Sequence, residues 1–376
     1  MQSKLKTAIV HEWLVNYAGS EHCIESFLNI WSEADVFTLV DFLNQQDRET
    51  IVQGKFPQTS FIQKLPFAKK HHRSYLPLFP LAIEQFDLSA YDVILSSSHA
   101  VAKGVITSSQ QLHICYCYTP MRYAWDFTHQ YLKESNLHKG MKAAVVKLFL
   151  HYLRIWDYST ANRVDHFIAI SNYIARRIKK TYAKDAVVIY PPVDTKFFPC
   201  ELDKENYYVT ASRLVPYKRI DLIVEAFAKM PDKKLLVIGE GPEKEKIYSK
   251  AKKNIEFLGY QDGEALKKYL QKAKAFVFAA EEDFGIVVVE ALACGTPVIA
   301  LRKGGTTETI VHLKNGIHFN EQTSDAIMHA VLEFEKNEHR FDSLEISNFA
   351  RQFDRSVFEE KITEFVTQKA EQFFNQ

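Results

Sequence analysis

Short apolar runs alternate with longer helical stretches along the chain, and this alternation restricts the fold more than any other feature of the sequence. In the first half, such runs begin at residues 7, 36, 93, 113, 166 and 187. The pattern restarts in the second half, with runs at 207–212, 222–230, 234–241, 254–260 and 275–280. Strands that alternate with helices form parallel sheets covered by helices on both faces. The sequence therefore predicts an α/β protein with two doubly wound domains.

The boundary between the predicted domains falls near Pro191 and Pro192, because consecutive prolines interrupt both helices and sheet ladders. We predict an N-terminal domain over residues 1–192 and a second domain over residues 193–352. The remaining residues, 353–376, include SVFEEKITEFVTQKAEQFF, in which apolar side chains recur at helical spacing. This segment is predicted to form a C-terminal helix that packs back on the N-terminal domain.

Composition and charge narrow the class of protein. Of the 376 residues, 47% are hydrophobic and 25% are charged, which is typical of soluble globular proteins. The first residues lack the apolar core of a signal peptide, so we expect the protein to stay in the cytoplasm. Residues 1–190 contain 21 Lys and Arg against 16 Asp and Glu. This excess is small and accompanies no recognisable nucleic-acid-binding module, so we expect no nucleic-acid partner.

Part of the positive charge is concentrated in one segment. Lys69, Lys70 and Arg73 immediately precede the apolar, proline-rich run YLPLFPLAIE. Cations beside exposed apolar residues are typical of a surface that rests on an anionic membrane. A basic loop ahead of a buried segment is the alternative interpretation.

The segment EEDFGIVVVEALACGTPVIALRKGGTTE at residues 281–308 carries the clearest functional signal. Its order predicts a loop, a helix, a strand and a second loop. A helix N-terminus that follows a glycine loop suits a phosphate, and a carboxylate two turns further on can accept hydrogen bonds from sugar hydroxyls. Phosphate beside sugar indicates a nucleotide-sugar. An ordinary acidic turn remains an alternative, and the run of valines leaves open whether Glu290 lies on a helix or a strand.

Two cations lie on one short loop of the second half. Arg213 and Lys218 follow the predicted strand YYVTAS within the phrase SRLVPYKR. A guanidinium fork and a compact ammonium at the end of a strand can together neutralise a diphosphate.

These residues together resemble glycosyltransferase family 4, whose members have the GT-B fold of two Rossmann-like domains facing a central cleft. Glu282 and Glu290 match the E-x7-E motif of the family, and Arg213 and Lys218 match its Arg and Lys. The phrases SSSHAVAKGV, TPMRYAWD and SRLVPYKRIDLIVEAF are similar to bacterial members that use GDP-mannose to build O-antigens or related surface polysaccharides.

The resemblance implies a retaining transfer of mannose from GDP-mannose to a lipid-linked glycan at the inner face of the cytoplasmic membrane. It implies that the diphosphate lies against the Arg/Lys pair and the helix N-terminus, that Glu290 binds the ribose, and that Glu282 lies near the donor sugar. The residues expected to take part in catalysis are Arg213, Lys218, Glu282, His99 and Tyr118. Those expected to bind the donor are Gly19, Gly241, Phe284, Gly285, Ile286, Glu290, Thr306 and Thr307.

One position departs from the family pattern. Many members have a histidine where this chain has Tyr118, in CYCYTP, and a phenol is a poor base at neutral pH. His99 is the candidate that could replace that histidine, and a structural role for His99 is the alternative interpretation. No D-x-D motif is present, so we expect no metal and no cofactor besides the nucleotide-sugar substrate. A UDP-sugar donor, or a nucleotide-sugar-binding protein with impaired catalysis, are the alternative functions.

Overall fold

The structure, a computed structural model, describes residues 5–126, 128, 132 and 139–375. The chain divides into two compact units. Unit 1 comprises residues 1–190 and 358–376, and unit 2 comprises residues 191–357. Each unit is built on its own parallel sheet, which confirms the prediction of two doubly wound α/β domains. No helix among the described residues is both long and apolar enough to cross a membrane.

The sheet of unit 1 has seven parallel strands in the order β3-β2-β1-β4-β5-β6-β7. Most of its strands coincide with the apolar runs of the sequence, because a parallel sheet buried on both faces needs apolar residues on each. The strands are β1 (Thr7–His11), β2 (Asp35–Thr38), β3 (Gln58–Thr59), β4 (Val93–Ser98), β5 (Leu112–Cys117), β6 (His166–Ala169) and β7 (Ala186–Val188).

Amphipathic helices cover this sheet. In the helix after β6, for example, Ile174, Ile178 and Tyr182 recur every four residues and are buried, so they form the stripe that faces the core. The helices are α1 (Glu21–Ile30), α2 (Gln45–Val52), α3 (Ala68–His71), α4 (Phe79–Glu84), α5 (Met141–Thr160) and α6 (Asn172–Tyr182), with 3-10 helices at Phe61–Lys64, His72–Leu78, Ala102–Gly104 and Ala161–Arg163.

A buried ion pair lies within unit 1. Lys103 donates a hydrogen bond to Asp157, and both side chains are almost fully buried. The second oxygen of Asp157 accepts hydrogen bonds from the indole N–H of Trp125 at 2.7 Å and from the hydroxyl of Tyr182 at 2.9 Å. The cluster therefore ties the 3-10 helix after β4, α5, α6 and the TPMRYAWD loop together through one carboxylate.

The sheet of unit 2 has six parallel strands in the order β10-β9-β8-β11-β12-β13. The strands are β8 (Tyr208–Ala211), β9 (Leu235–Ile238), β10 (Ile255–Gly259), β11 (Ala275–Phe278), β12 (Val298–Leu301) and β13 (Gly316–Phe319). Its helices are α7 (Ile220–Ala228), α8 (Lys244–Tyr248), α9 (Gly263–Lys272), α10 (Ile286–Ala293), α11 (Thr306–Thr309), α12 (Ser324–Lys336) and α13 (Ser343–Ala350), with 3-10 helices at Pro216–Lys218, Glu338–Arg340 and Arg351–Phe353.

One apolar run of the second half is not a strand. Residues 222–230 were counted with the strand-like runs, but they lie largely on helix α7. Leu222, Ile223, Ala226 and Phe227 are buried at the spacing of a helix face, and tertiary packing on that face outweighs the strand propensity of the run.

The final helix, α14 (Arg355–Phe374), begins in unit 2 and continues into unit 1. In unit 1, Phe358 packs against Phe27 and Tyr116, with ring centroids 5.7 and 5.5 Å apart, respectively. Ile362 and Phe365, on later turns of the helix, are also buried. The core of unit 1 therefore includes residues from both of its separate segments.

Candidate active site

The strand order of unit 2 reverses between β8 and β11. The chain builds β9 and β10 on one side of β8, and then β11, β12 and β13 on the other. Ligands of open α/β sheets bind outside the carboxyl ends of the strands at such a reversal. Lys218 follows β8 and Glu282 follows β11, so two of the predicted site residues lie at this point.

Lys218 and Glu282 form an ion pair. The ammonium of Lys218 donates to Oε1 of Glu282, and the side chains are only 18% and 17% exposed. The ammonium also lies 5.5 Å from the ring centre of Tyr217 and 5.9 Å from that of Phe278. A carboxylate thus compensates the lysine charge, and partial burial strengthens the attraction between the two.

Arg213, on the same loop as Lys218, is exposed. Within the described part of the chain its guanidinium has no hydrogen bond or ion pair. Its five N–H donors are therefore available to an incoming anion, and a guanidinium can bind phosphate oxygens in a bidentate manner.

Backbone contacts made possible by glycine hold the neighbouring loops together. The N–H of Gly305 donates to the carbonyl of Glu282 at 2.8 Å, and a Cβ at Gly304 would lie 2.1 Å from that same carbonyl oxygen. At the loop that carries Arg213, a Cβ at Gly241 would lie 2.3 Å from the carbonyl oxygen of Leu214. The predicted role of Gly241 in donor binding thus coincides with a packing role beside the Arg213 loop.

The two predicted threonine ligands differ in what their hydroxyls do. Thr306 is buried, and its hydroxyl donates toward the carbonyls of Leu301 and Lys303. Thr307 is exposed, and its hydroxyl donates to the carbonyl of Gly304 at 2.8 Å. Thr306 therefore shapes its own loop, while Thr307 is the one of the pair that a ligand can reach.

Helix α10 begins directly beside the Lys218–Glu282 pair. Gly285 caps it in the left-handed region, with φ of +88°, and Ile286 is its first residue. Phe284 is buried against Phe353, with ring centroids 5.6 Å apart, which anchors the entry to the helix. The first N–H groups of a helix have no intrahelical acceptors, so this end can receive an anion.

Glu290 lies on α10, which settles the question of helix or strand. Its side chain is partly exposed, yet its surroundings are dense enough that desolvation raises the pKa of the carboxyl to about 7. Among the described residues no hydrogen-bonding or cationic partner offsets that cost. A carboxyl kept without a partner in this position is suited to accept hydrogen bonds from a ligand.

The strand order of unit 1 also reverses, between β1 and β4. His11 is the last residue of β1 and Glu12 directly follows it. Glu21 is the first residue of α1, and His99 follows β4. Burial opposes ionisation of Glu12, but the neighbouring imidazoles of His99 and His11 and the N–H of Ala102 lower its pKa to about 2. Burial likewise opposes a charge on His11, but Glu21 and Glu12 raise its pKa.

Tyr118 does not present its hydroxyl freely. The hydroxyl donates to the carbonyl of Ser20 at 3.1 Å and shares a hydrogen bond of 2.9 Å with the hydroxyl of Ser97. Burial raises the pKa of Tyr118 well above its ordinary value. Tyr118 thus holds the AGSE turn, in which Gly19 is exposed, to the end of β4.

The sequence interpretation did not assign roles to Glu12 and Glu21. The signal was present, because Glu12 directly follows the first predicted strand, at the edge where ligands bind. The sequence does not show that four hydrogen-bond donors, at and just after the end of β4, converge on the carboxylate of Glu12. In the described parts of the chain no cluster of three His, Cys, Asp or Glu side chains is arranged to hold a metal ion.

Lys69, Lys70 and Arg73, here called the basic patch, lie in unit 1 and are exposed. The apolar run after them is not exposed as a whole, because Phe79, Pro80, Ala82 and Ile83 are buried. Phe67, just before the patch, is instead 79% exposed. The run therefore supplies only part of the expected exposed apolar surface, through Pro77 and Leu81, which is 51% exposed, and Phe67 adds to it.

Two family models match the chain. Residues 35–197 match the model described as Glycosyltransferase Family 4, and residues 194–353 match the model described as Glycosyl transferases group 1. The two matches meet at the junction between the units and together run from residue 35 to residue 353.

Curated relatives align with part of the chain. An uncharacterized glycosyltransferase of Methanocaldococcus jannaschii is 29% identical over 204 residues, covering 53% of this chain and 57% of that protein. The GDP-mannose-dependent alpha-(1-6)-phosphatidylinositol monomannoside mannosyltransferase of Mycolicibacterium smegmatis is 30% identical over 201 residues, covering 45% of this chain and 53% of that protein. The chain therefore spans little more than half the length of these two relatives.

A solved structure matches the fold over almost the whole length. Anabaena HepE, in complex with UDP, has a TM-score of 0.71 at 17% identity, covering 97% of this chain and 100% of that chain. At this identity the likeness establishes the architecture, and the ligand is a property of HepE alone.

Proposed function

We propose that this chain, a GT-B glycosyltransferase of family 4, is an enzyme that transfers a sugar from a nucleotide-sugar to a hydroxyl group with retention at the anomeric carbon. The observation that carries the proposal is the group formed by Arg213, Lys218 and Glu282 beside the N-terminus of α10, at the strand reversal of unit 2. This arrangement supplies cations and backbone N–H groups where the charge of a leaving diphosphate develops.

In the proposed reaction, Arg213 and Lys218 neutralise the diphosphate as the bond to the sugar breaks. Without a ligand, Glu282 compensates the charge of Lys218. When the diphosphate takes over that role, Glu282 becomes free to accept hydrogen bonds from the donor sugar. Glu290, just over one turn into α10, accepts hydrogen bonds from the ribose. Transfer proceeds without a metal ion, because fixed cations replace the neutralising charge that a metal would supply.

The alanine variant of Lys218 tests this site. Loss of a cation aimed at the leaving group should lower kcat by about 100-fold, which is typical of removing one electrostatic contact to the transition state. Lys229→Ala is the matched control, because it removes an exposed lysine paired with Asp325 elsewhere in unit 2. Equal kcat values for Lys218→Ala and the wild type would show that the Lys218–Glu282 ion pair is not part of the active site.

We propose GDP-mannose as the donor. The support is the phrases shared with bacterial GDP-mannose-dependent enzymes and the 30% identity to the mycobacterial GDP-mannose-dependent mannosyltransferase. A UDP-sugar is the second candidate, favoured by the UDP bound in the structural neighbour HepE.

Thermal unfolding with GDP and with UDP separates the two donors, because a ligand bound to the native state raises Tm by mass action. We expect GDP to raise Tm and UDP to leave it unchanged at the same concentration. The reverse result would assign a UDP-sugar. Binding of GDP without release or transfer of mannose from radiolabelled GDP-mannose, under any acceptor condition, would instead support a protein with impaired catalysis.

We propose a lipid-linked glycan as the acceptor, reached from the inner face of the cytoplasmic membrane through peripheral contact. The basic patch and Phe67 offer cations beside an exposed aromatic ring. Such a surface binds anionic headgroups and buries an apolar side chain at the interface.

A second surface of unit 1 has a similar composition. Helix α5 exposes an apolar stripe at alternating spacings of four and three residues, with Lys142 and Lys147 exposed on the same helix. The stripe consists of Met141, Val145, Leu148, Tyr152 and Ile155, which are 56% to 85% exposed. An amphipathic helix of this kind can lie in a membrane interface.

Sedimentation with liposomes tests both surfaces. Vesicles of phosphatidylglycerol and phosphatidylethanolamine should retain the wild type, and vesicles of phosphatidylcholine alone should retain less. A Lys69/Lys70/Arg73 triple-alanine variant and a Leu148→Gln/Ile155→Gln variant each remove one surface. If neither variant is released more readily than the wild type, the proposed membrane contact is wrong.

A further inference from the structure

A cavity of about 580 Å³ lies between the TPMRYAWD loop, α5 and α6. Its volume is in the range of pockets that bind small molecules. The described residues that line it include Trp125 and Asp126 of the loop, Leu150 and Arg154 of α5, and Lys180 of α6. All of these residues belong to unit 1, so the cavity is formed within one unit.

The charges on the cavity wall are not balanced. Asp126 is the only carboxylate among the described residues that line it, and Asp126 forms an ion pair with Arg177. Arg154 donates one N–H to the carbonyl of Ala124 at 3.0 Å, and its other N–H groups have no partner in the part of the chain that the structure describes. Lys180 is exposed and, among the same residues, has no hydrogen bond or ion pair. The two uncompensated cations favour an anionic ligand.

The cavity also has an apolar wall. The indole N–H of Trp125 donates to Asp157 at 2.7 Å, within the buried cluster around Lys103, so the ring is held in place at the cavity. Ala124 and Leu150 are buried and also line the cavity. A wall that combines uncompensated cations with a fixed aromatic ring and aliphatic side chains suits an anion that carries an apolar group.

Helix α5 connects this cavity with the exposed apolar stripe. Leu150 and Arg154 are four residues apart, so they lie on one face of the helix, and both line the cavity. Leu148 and Ile155 belong to the stripe, and Ile155 directly follows Arg154. Because successive residues are about 100° apart around a helix axis, the stripe begins on the face next to the cavity wall. A bilayer that buries the stripe would therefore border the cavity.

We propose that this cavity binds the phosphate headgroup of a lipid, namely the lipid that carries the acceptor glycan. The identity of that lipid rests on the proposed function, which supplies the lipid-linked acceptor. Arg154 and Lys180 bind the phosphate oxygens, because a guanidinium fork and a compact ammonium are both well suited to phosphate. Trp125 and Leu150 contact the part of the lipid chain next to the phosphate.

Isothermal titration calorimetry with decyl phosphate, below its micelle concentration, tests the site. The wild type should bind one molecule per chain. Arg154→Gln should raise Kd by at least about 10-fold, as expected for loss of a hydrogen bond between charged groups. Lys180→Gln should raise Kd by about 2- to 5-fold, because solvent screens the charge of this exposed lysine. Lys179→Gln is the matched control, because Lys179 pairs with Asp185 and does not line the cavity.

Further variants and a second probe show which part of the molecule the ligand contacts. Leu148→Gln/Ile155→Gln removes the stripe, and Lys218→Ala removes a cation of the proposed donor site. Both variants should bind decyl phosphate as tightly as the wild type. Inorganic phosphate should bind at least about 10-fold more weakly than decyl phosphate, because it has no chain to bury against Trp125.

Several outcomes would overturn the inference. They are no binding of decyl phosphate, equal affinity for inorganic phosphate, and an unchanged Kd in both Arg154→Gln and Lys180→Gln. Weaker binding by Lys218→Ala or by the stripe variant would also overturn it, since the probe would then occupy another surface. None of these measurements uses a donor. A chain that binds the probe in the cavity and transfers no sugar therefore contradicts the proposed function alone, and one that transfers sugar without binding the probe contradicts this inference alone.

Discussion

The Glu290→Gln variant offers a quantitative test of the site, because the unpartnered carboxyl should destabilise the fold that carries it. Glu290 lies on α10 with its pKa raised to about 7 by desolvation. A neutral amide of nearly the same shape removes the need to ionise a buried group. We therefore expect the variant to be more stable than the wild type at alkaline pH and no more stable at acidic pH.

The magnitude follows from the pKa. Below the ordinary carboxyl pKa of 4.5 the group is neutral in both the folded and unfolded states, so it costs nothing. Between pH 4.5 and about 7 the unfolded state releases the proton of Glu290 while the folded state keeps it, so the wild type loses stability across this range and loses no more above it. The separation between 4.5 and about 7 corresponds to about 3 kcal/mol. Because the side chain is partly exposed and glutamine brings its own unpaired amide, we expect Glu290→Gln to be about 1 to 2 kcal/mol more stable than the wild type at alkaline pH.

Urea unfolding at pH 5 and pH 8.5 provides the assay. All four tryptophans, Trp13, Trp31, Trp125 and Trp156, lie in unit 1, so unit 2 must be followed by far-UV circular dichroism. Glu321→Gln, at an exposed position before α12, is the control and should change stability at neither pH. A Glu290→Gln variant that gains no stability between pH 5 and pH 8.5, relative to the wild type, would refute the reasoning.

Two further predictions concern packing. Gly304→Ala should destabilise unit 2 by more than about 2 kcal/mol, because the φ of Gly304 is +71° and its Cβ would lie 2.1 Å from a carbonyl oxygen. Gly263→Ala is the control for thermal unfolding. Its Cβ would have no neighbour nearer than 3.6 Å, so it should be neutral or stabilise by up to about 1 kcal/mol. Lys103→Met should lower the free energy of unfolding by about 3 to 5 kcal/mol, because it leaves Asp157 charged and buried. Adding Asp157→Asn should recover part of this loss, as measured by unfolding followed through tryptophan fluorescence. A double variant no more stable than Lys103→Met would contradict the buried ion pair.

The sequence was sufficient to predict the two parallel sheets, because their strands are apolar on both faces and are separated by helix-length segments. The resemblance to the family implied that Lys218, Glu282 and the start of α10 lie near each other, and the structure places them together where strand ends meet at a reversal. Residues 222–230 were misjudged because a helix buried on most of its surface has the same apolar content as a strand. The roles of the site residues stay predictions.

Contacts between distant strand ends could not be predicted. Glu12 and the turn at 98–102 are nearly ninety residues apart, and four hydrogen bonds join them only because β1 and β4 pair in one register. The pKa of Glu290 depends on the density of side chains around one face of α10, which no local pattern contains. The inward turn of the Thr306 hydroxyl likewise follows from the path of its loop.

The passage of α14 from unit 2 into unit 1 has a consequence for the order in which the protein can fold during synthesis. Unit 2 is one continuous stretch, and the segments that lead into and out of it pair through Val193, Phe353 and Arg355. Unit 1 places Phe358 against Phe27, across more than three hundred residues of chain. Part of the core of unit 1 therefore stays exposed until the ribosome has made α14. Unit 2 can fold as soon as its own residues emerge.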